Sequence, residues 1–268
     1  MKILVTGGTG HLGRAIVSGL TRDGHSVRIL ARHPGQDSSV EWIRGDLATG
    51  EGLRDAVAGV QSVIHAATNS PAARRGRFTL RDLVRSPADV DVTGTRTLLA
   101  AAEQAGAEQF AHVSIVGLEH LRRMPYARRK LEAEHLVRNS DLRWSIFRAT
   151  AFYWLLERLL ANMLEQPILA LPARVRMAAV DSDEFAEFIV AHLADGQFGE
   201  REAFAGPQTL TMMELMEQYL RSRGQQRRIR HAPLPRKLQA ALTAGNTSSD
   251  ARRGETTWAQ WLQRSSAR

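Results

Sequence analysis

The 268-residue chain predicts an α/β fold, a doubly wound parallel sheet followed by a small C-terminal α+β lobe. Three observations carry that expectation. Short apolar runs alternate with stretches of helical periodicity through the first 150 residues, as strand and helix do in a parallel sheet. A glycine-rich turn joins the first run to the first periodic stretch. Over 151–268 the alternation gives way to helices separated by polar segments, the mark of a smaller lobe.

Ile3, Leu4 and Val5 read as a strand buried on both faces, and Leu12, Ile16, Val17 and Leu20 recur at helical spacing. Between them Thr6-Gly7-Gly8-Thr9-Gly10 must turn sharply. Gly8 to Gly13 satisfies G-x-G-x-x-G, and Gly7, Gly10 and Gly13 satisfy G-x-x-G-x-x-G. In a strand–turn–helix context this reads as a dinucleotide site, because glycine permits the tight turn, the approach of a pyrophosphate to the backbone and close helix packing. The free amides of the helix start favour the phosphates. Thr6, Gly7, Gly10, His11, Leu12 and Gly13 are the expected phosphate-side residues; a glycine turn without a ligand is the plain alternative.

Ser26 to Ala31 reads as the second strand. An acidic residue near its end would accept the ribose hydroxyls of NAD; Ala31-Arg32-His33 offers a guanidinium instead, which favours the 2′-phosphate of NADP(H) over NAD(H). Val40 to Ile43 is the third strand, leading into Asp46 and Leu47, where Asp46 either accepts from the adenine amino group or caps the next helix, Leu53 to Val57. Gln61 to His65 is the fourth strand, and the small Ala66 and Ala67 after it let the backbone approach a cofactor. Asn69 to Pro87, polar and arginine-rich, reads as a long mobile loop able to cover the site. Asp89 to Gln104 is helical, and Gln109 to Ser114 forms the fifth strand, which sets Ser114 at a carboxyl end, where such sheets bind ligands.

Pro125 suits the first position of a helix, and Tyr126 and Lys130, four apart, share its face. A nearby ammonium and a cationic nicotinamide would both favour the phenolate, so the pair can give a proton to a carbonyl oxygen or take one back, with Ser114 holding that oxygen. An exposed amphipathic helix would show the same spacing.

Together, Thr6 to Gly13, Gly45-Asp46-Leu47, His65-Ala66-Ala67, Asp91 to Thr95, His112-Val113-Ser114, Tyr126 to Lys130 and Phe147 to Thr150 resemble an atypical short-chain dehydrogenase/reductase of the NmrA-like NAD(P)-binding group. The resemblance implies a Rossmann domain over 1–150 and a substrate-binding lobe over 151–268, joined by a helix over 182–195. It places Gly7, Gly10 and Gly13 at the pyrophosphate, Arg32 at the 2′-phosphate, Asp46 at the adenine, and Ser114, Tyr126 and Lys130 at the reaction centre. Sugar-nucleotide relatives carry an Arg-Pro…Tyr-Gly-Pro segment where Arg148 here leads into Ala149-Thr150-Ala151, and their C-terminal domain is larger, so a nucleotide sugar is not the expected substrate.

Leu142 to Phe147 is the sixth strand. Phe152 to Leu164 follows as an apolar helix whose Phe152, Tyr153 and Trp154 either join the core or wall an apolar substrate pocket. Helices are further expected from Ser182, over Leu210 to Leu220 and over Pro235 to Ala244, with a short strand over Arg227 to His231. Trp258 and Trp261 share one face of a last helix, a staple onto the core.

Without cysteine there is no disulfide, thiolate metal site or thiol nucleophile, and no His pair with a partner suggests a metal. The net charge of +8 comes almost entirely from arginine, and the densest clusters, Arg74 to Arg77 and Arg221 to Arg230, match no nucleic-acid-binding motif. A strand starting at residue 2 and apolar runs too short for a bilayer suggest a cytoplasmic protein with no membrane partner. The expectation is an oxidoreductase for a carbonyl- or quinone-type, apolar or aromatic small molecule, with a homodimer allowed for. Its alternatives are an NmrA-like redox sensor without turnover and a tailoring enzyme such as a quinone oxygenase.

Overall fold

The computed structural model describes residues 1–70, 89–193 and 195–266. The expected loop over 69–87 therefore lies, from residue 71 on, outside the described residues.

The main sheet is built from β1 (Lys2–Thr6), β2 (Ser26–Ala31), β3 (Glu41–Arg44), β4 (Ser62–His65), β5 (Gln109–Ile115) and β6 (Arg143–Ala149), all paired parallel in the order 3-2-1-4-5-6. Successive strand residues face opposite sides. Ile3, Val5, Ile29, Ile64, Ala111 and Phe147 pack beneath α1 (His11–Arg22), while Leu4, Leu30, Val63, Phe110 and Ile146 pack with residues of α2 (Leu53–Val57), α3 (Thr95–Gln104) and α4 (Pro125–Arg138). The apolar runs read as doubly buried strands because both sides are covered by helices. Before α3 the chain makes a wider π-helical turn over Asp89–Gly94, and Pro125 holds the first position of α4.

Beyond residue 150 the chain serves two cores. The helix α5 (Tyr153–Leu164) packs with the later helices in a separate apolar cluster. Short strands β7 (Ala170–Leu171) and β8 (Arg176–Met177) follow, and then α6 (Ser182–Ala191), capped by Asp181, whose carboxylate accepts from the Asp183 amide at 3.0 Å. Phe185, Phe188 and Ile189 of α6 join the core beneath α1. β9 (Gly199–Glu200) and β10 (Phe204–Ala205) both pair with β6, and β13 (Arg252–Arg253) pairs with β10, so residues far along the chain extend the first sheet.

Between them lie β11 (Leu210–Thr211), α7 (Met212–Ser222), β12 (Arg230–His231) and α8 (Arg236–Ala244). Thr211 and Glu214 close a capping box on α7, which moves its start two residues past the expected one. In the last helix, α9 (Trp258–Ser266), Trp258 is fully buried, stacks on Trp261 and donates its indole N–H to the Leu215 carbonyl at 3.1 Å. Among the described residues no helix is long and apolar enough to cross a membrane, and no group of three or more His, Cys, Asp or Glu side chains is placed to hold a metal.

Candidate functional site

The glycine turn forms a cradle that side chains would fill. Gly7 has φ +76°, and a Cβ there would lie 2.7 Å from the Ala67 nitrogen; a Cβ on Gly13 would lie 2.0 Å from the Gly7 carbonyl oxygen. The Gly10 amide donates to that same carbonyl at 2.9 Å, which closes the turn. Helix α1 starts from it with no side-chain cap and no acidic residue in its first turn, so its first amides remain available to an anion. Arg14 braces the rim by donating to the Thr9 carbonyl. This donor-rich, side-chain-free cradle fits a dinucleotide pyrophosphate.

Other expected cofactor residues divide by what their side chains do. Leu12 and Leu47 are core residues and bring only their backbone to the site. The Thr6 hydroxyl is buried against His65 Nδ1 at 2.7 Å. Asp46 closes its own loop, accepting from the Ala48 amide at 2.9 Å, rather than capping the next helix. Arg32 is exposed just beyond the end of β2 and forms no ion pair among the described residues, free to meet an anion there. Ala66 and Ala67 abut Gly7.

His11 and Trp154 stack with centroids 4.3 Å apart and planes 12° off parallel, at the facing starts of α1 and α5. Burial and the neighbouring Arg14 and Arg158 lower the pKa of His11, which favours the neutral ring. Of the three aromatic residues expected either as core or as a pocket wall, only Trp154 meets the cradle. Phe152 packs on Phe185 in the core, and Tyr153 is buried against Trp258 with its hydroxyl donating to the Thr256 carbonyl at 2.9 Å.

The reaction centre differs from its expected form. The Tyr126 hydroxyl lies 3.0 Å from Thr68 Oγ1, and Thr68 in turn donates to Asp91 Oδ1 at 2.6 Å. Lys130 shares Tyr126's helix face, but its buried ammonium donates to the Val113 carbonyl at 2.9 Å. Tyr126 is accordingly not driven toward phenolate: burial first, and then the Asp91 carboxylate, push its pKa up. The Lys130 ammonium has been taken up by a backbone carbonyl and by the fields of Asp91 and Glu134, while its own burial pulls its pKa down.

Ser114 is not at the tyrosine. It pairs in register with Arg148 on β6, and both face α4, where Arg148 forks onto the fully buried Glu134 through Nε at 2.9 Å and Nη2 at 2.5 Å. Ser114 Oγ makes no hydrogen bond of good geometry but lies close enough to help hold Glu134 ionised, together with Arg148 and Arg138. Glu134 is two helical turns, about 12 Å, from Tyr126 along α4. A groove of about 480 Å³ opens by the carboxyl end of β5, lined by Gly117, Glu119, His120, Thr247 and Ser248 among others.

His65, Asp91 and Arg148 stand in stretches that carry the resemblance, but the sequence assigned them no role in the site, and it did not single out Thr68 or Glu134. Glu134 could have been found as the residue four beyond Lys130 on the same stripe; the roles of the others come from tertiary contacts.

The pattern that defines a family described as NAD(P)H-binding matches residues 7–195. The chain is similar to the photosystem II assembly factor Ycf39 of Cyanophora paradoxa, with 27% identity over 242 residues, 87% of this chain and 72% of that protein. It is also similar to the 2-alkyl-3-oxoalkanoate reductase of Stenotrophomonas maltophilia, 37% identical over 123 residues that span 45% of this chain and 35% of the reductase. Among solved structures, an NADPH-dependent quinone oxidoreductase of Escherichia coli complexed with NADPH superposes with a TM-score of 0.75 at 16% identity, over 98% of this chain and 99% of that one. The triphenylmethane reductase of Citrobacter complexed with NADP(H) gives 0.73 at 18%, over 98% and 99%. At such identities the structural likeness is one of fold.

Proposed function

The chain belongs to the NAD(P)H-binding family, and from that premise we propose that it is an NADP-preferring oxidoreductase moving a hydride to or from a carbonyl- or quinone-type, apolar or aromatic small molecule in the cytoplasm. One observation carries the reading: three consecutive residues tie the cradle to a titratable hydroxyl. Ala66 and Ala67 abut Gly7, and Thr68 bonds to Tyr126. A dinucleotide laid in the cradle supplies the hydride; the protein supplies position and a proton.

In this reading the amides at the start of α1 hold the pyrophosphate and Arg32 meets the 2′-phosphate. Trp154, stacked on His11, walls the space between cradle and substrate. Tyr126 moves the proton, and Lys130, hydrogen-bonded to Val113, fixes the backbone at the carboxyl end of β5. The test is a paired titration with NADPH and NADH, followed by quinones and aromatic ketones with the reduced cofactor's absorbance monitored. Tight NADPH binding with turnover of any of them supports the proposal; preference for NADH removes the role of Arg32.

A second reading is favoured by the engagement of Lys130 with a backbone carbonyl instead of Tyr126 and by the similarity to an assembly factor over most of the chain. In it the protein binds NAD(P) and acts through a protein partner without turnover. Tight NADPH binding with no oxidation by any compound moves the assignment there.

A further inference from the structure

We propose that Asp91 is a positioning residue that, acting through Thr68, holds the Tyr126 hydroxyl as a proton donor, so that the site is built to reduce a carbonyl rather than to oxidise an alcohol. The inference rests on the oxidoreductase reading above. Asp91 is 1% exposed. Its Oδ1 accepts from Thr68 Oγ1 at 2.6 Å and its Oδ2 from the Asn69 amide at 3.0 Å.

An ionised carboxylate only accepts, and a threonine hydroxyl has one proton to give. With that proton on Asp91, Thr68 can meet Tyr126 at 3.0 Å only as an acceptor, so Tyr126 donates. The backbone of Asp91 is fixed in the same way. Thr95 Oγ1 donates to the Asp91 carbonyl at 2.8 Å, His65 Nε2 must then donate to Thr95 at 2.9 Å, and His65 Nδ1 accepts from Thr6 at 2.7 Å. Two runs of directed bonds, one from the end of β1 and one from the tyrosine, thus meet at Asp91.

Among the described residues, the groups facing Tyr126 are the Asp91 carboxylate from the turn before α3 and the Thr68 and Ser70 hydroxyls after β4, while Lys130 on its own helix is bonded to Val113. A phenolate would stand opposite Asp91 and would lose the acceptor it now donates to. The neutral phenol can break its O–H bond and pass the proton to a substrate oxygen. That oxygen takes up the electron pair of the carbonyl π bond as the carbon receives hydride from the reduced nicotinamide, and solvent restores the phenol. The reverse reaction needs a phenolate, which this arrangement disfavours.

The experiment is fluorine NMR of the full chain carrying ring-fluorinated tyrosine, titrated with pH without cofactor or substrate, the Tyr126 signal being assigned from Tyr126→Phe. In Asp91→Asn the new amide can donate to Thr68, which turns the Thr68 proton toward the phenol; the phenol should titrate lower by roughly one pH unit or more. Asp91→Ser also removes the charge in a smaller side chain and should shift it in the same direction, so either folded variant serves. A Tyr126 titration unmoved or raised in a folded variant overturns the proposal. Because the titration needs no turnover, its failure is separate from that of the oxidoreductase reading; a lowered phenol in a protein that oxidises NADPH with no quinone or ketone overturns that reading and the direction of reduction with it.

Discussion

Tyr126, Lys130, Glu134 and Arg138 stand four residues apart along one face of α4, yet the two halves of that stripe treat charge in opposite ways. In the lower half every charge is matched. Glu134 receives the fork of Arg148 and a bond from Arg138 at 2.8 Å, and Arg138 reaches Glu200 on β9 at 2.7 Å. In the upper half, Lys130 rests on a single backbone carbonyl and Tyr126 on neutral hydroxyls, with Asp91 near both. A closed ion cluster ties α4 to β6 and leaves nothing to titrate near neutrality. A sparsely bonded hydroxyl at the sheet's carboxyl edge has bonding capacity left for a substrate. The same helix face is an anchor below and a reaction centre above.

The sharpest way to break this division is Tyr126→Phe. Turnover should fall by about 10²–10⁴-fold, the usual worth of a general acid or base, while NADPH affinity and the denaturant midpoint stay near wild type; unchanged turnover would remove Tyr126 from the chemistry. Glu134→Gln should act on stability instead. It leaves two guanidinium groups without their buried counter-charge, and urea unfolding should show a loss of about 3 kcal/mol, with affinity for NADPH retained in whatever remains folded.

The ion cluster of the lower half and the buried histidines of β4 and β5 should also act in different pH windows. Glu134 is held ionised below its usual range, so its contribution is present above the unfolded-state pKa and is lost as pH falls through the lower folded-state value. His65, buried and kept neutral, titrates at about 3 against 6.5 when exposed. The unfolded chain therefore binds the extra proton between those values, and stability should decline from about pH 6.5 downward. Buried His112, shifted in the same direction, acts in the same sense. Urea midpoints measured against pH should lose part of the upper slope in His65→Asn and keep it in Glu134→Gln; equal slopes in all three proteins would erase the distinction.

Next in size, Arg32→Ala should weaken NADPH by about tenfold, the loss of one charge-assisted contact, and leave NADH unchanged in the paired fluorescence titration. The smallest effect belongs to Ser114→Ala. Its hydroxyl sits with Glu134 and Arg148, so stability should change by less than about 1 kcal/mol and turnover by less than about tenfold; a loss as large as that of Tyr126→Phe would return Ser114 to the reaction centre.

Features whose causes are local are legible in the chain before it folds. The order of strand, glycine turn and helix at Ile3 to Leu20 follows from side-chain periodicity and from a turn only glycine can make, and β2 and α2 stand at their expected residues. Tyr126 and Lys130 share a face because a helix has 3.6 residues per turn. The tertiary structure alone decided who meets whom across the chain. Ser114 could be read at a strand end, but strand alternation turned it toward Arg148 and Glu134, and register with β6 is not written in β5. Phe152 to Trp154 are alike in sequence, yet packing sent the first two into separate cores and stacked the third on His11. Asp91 meets Thr68 across 23 residues, and only that contact gives the tyrosine its direction. Periodicity is a property of neighbours along the chain and survives in the sequence; a hydrogen bond between distant side chains exists only once the sheet has brought their strands and turns together.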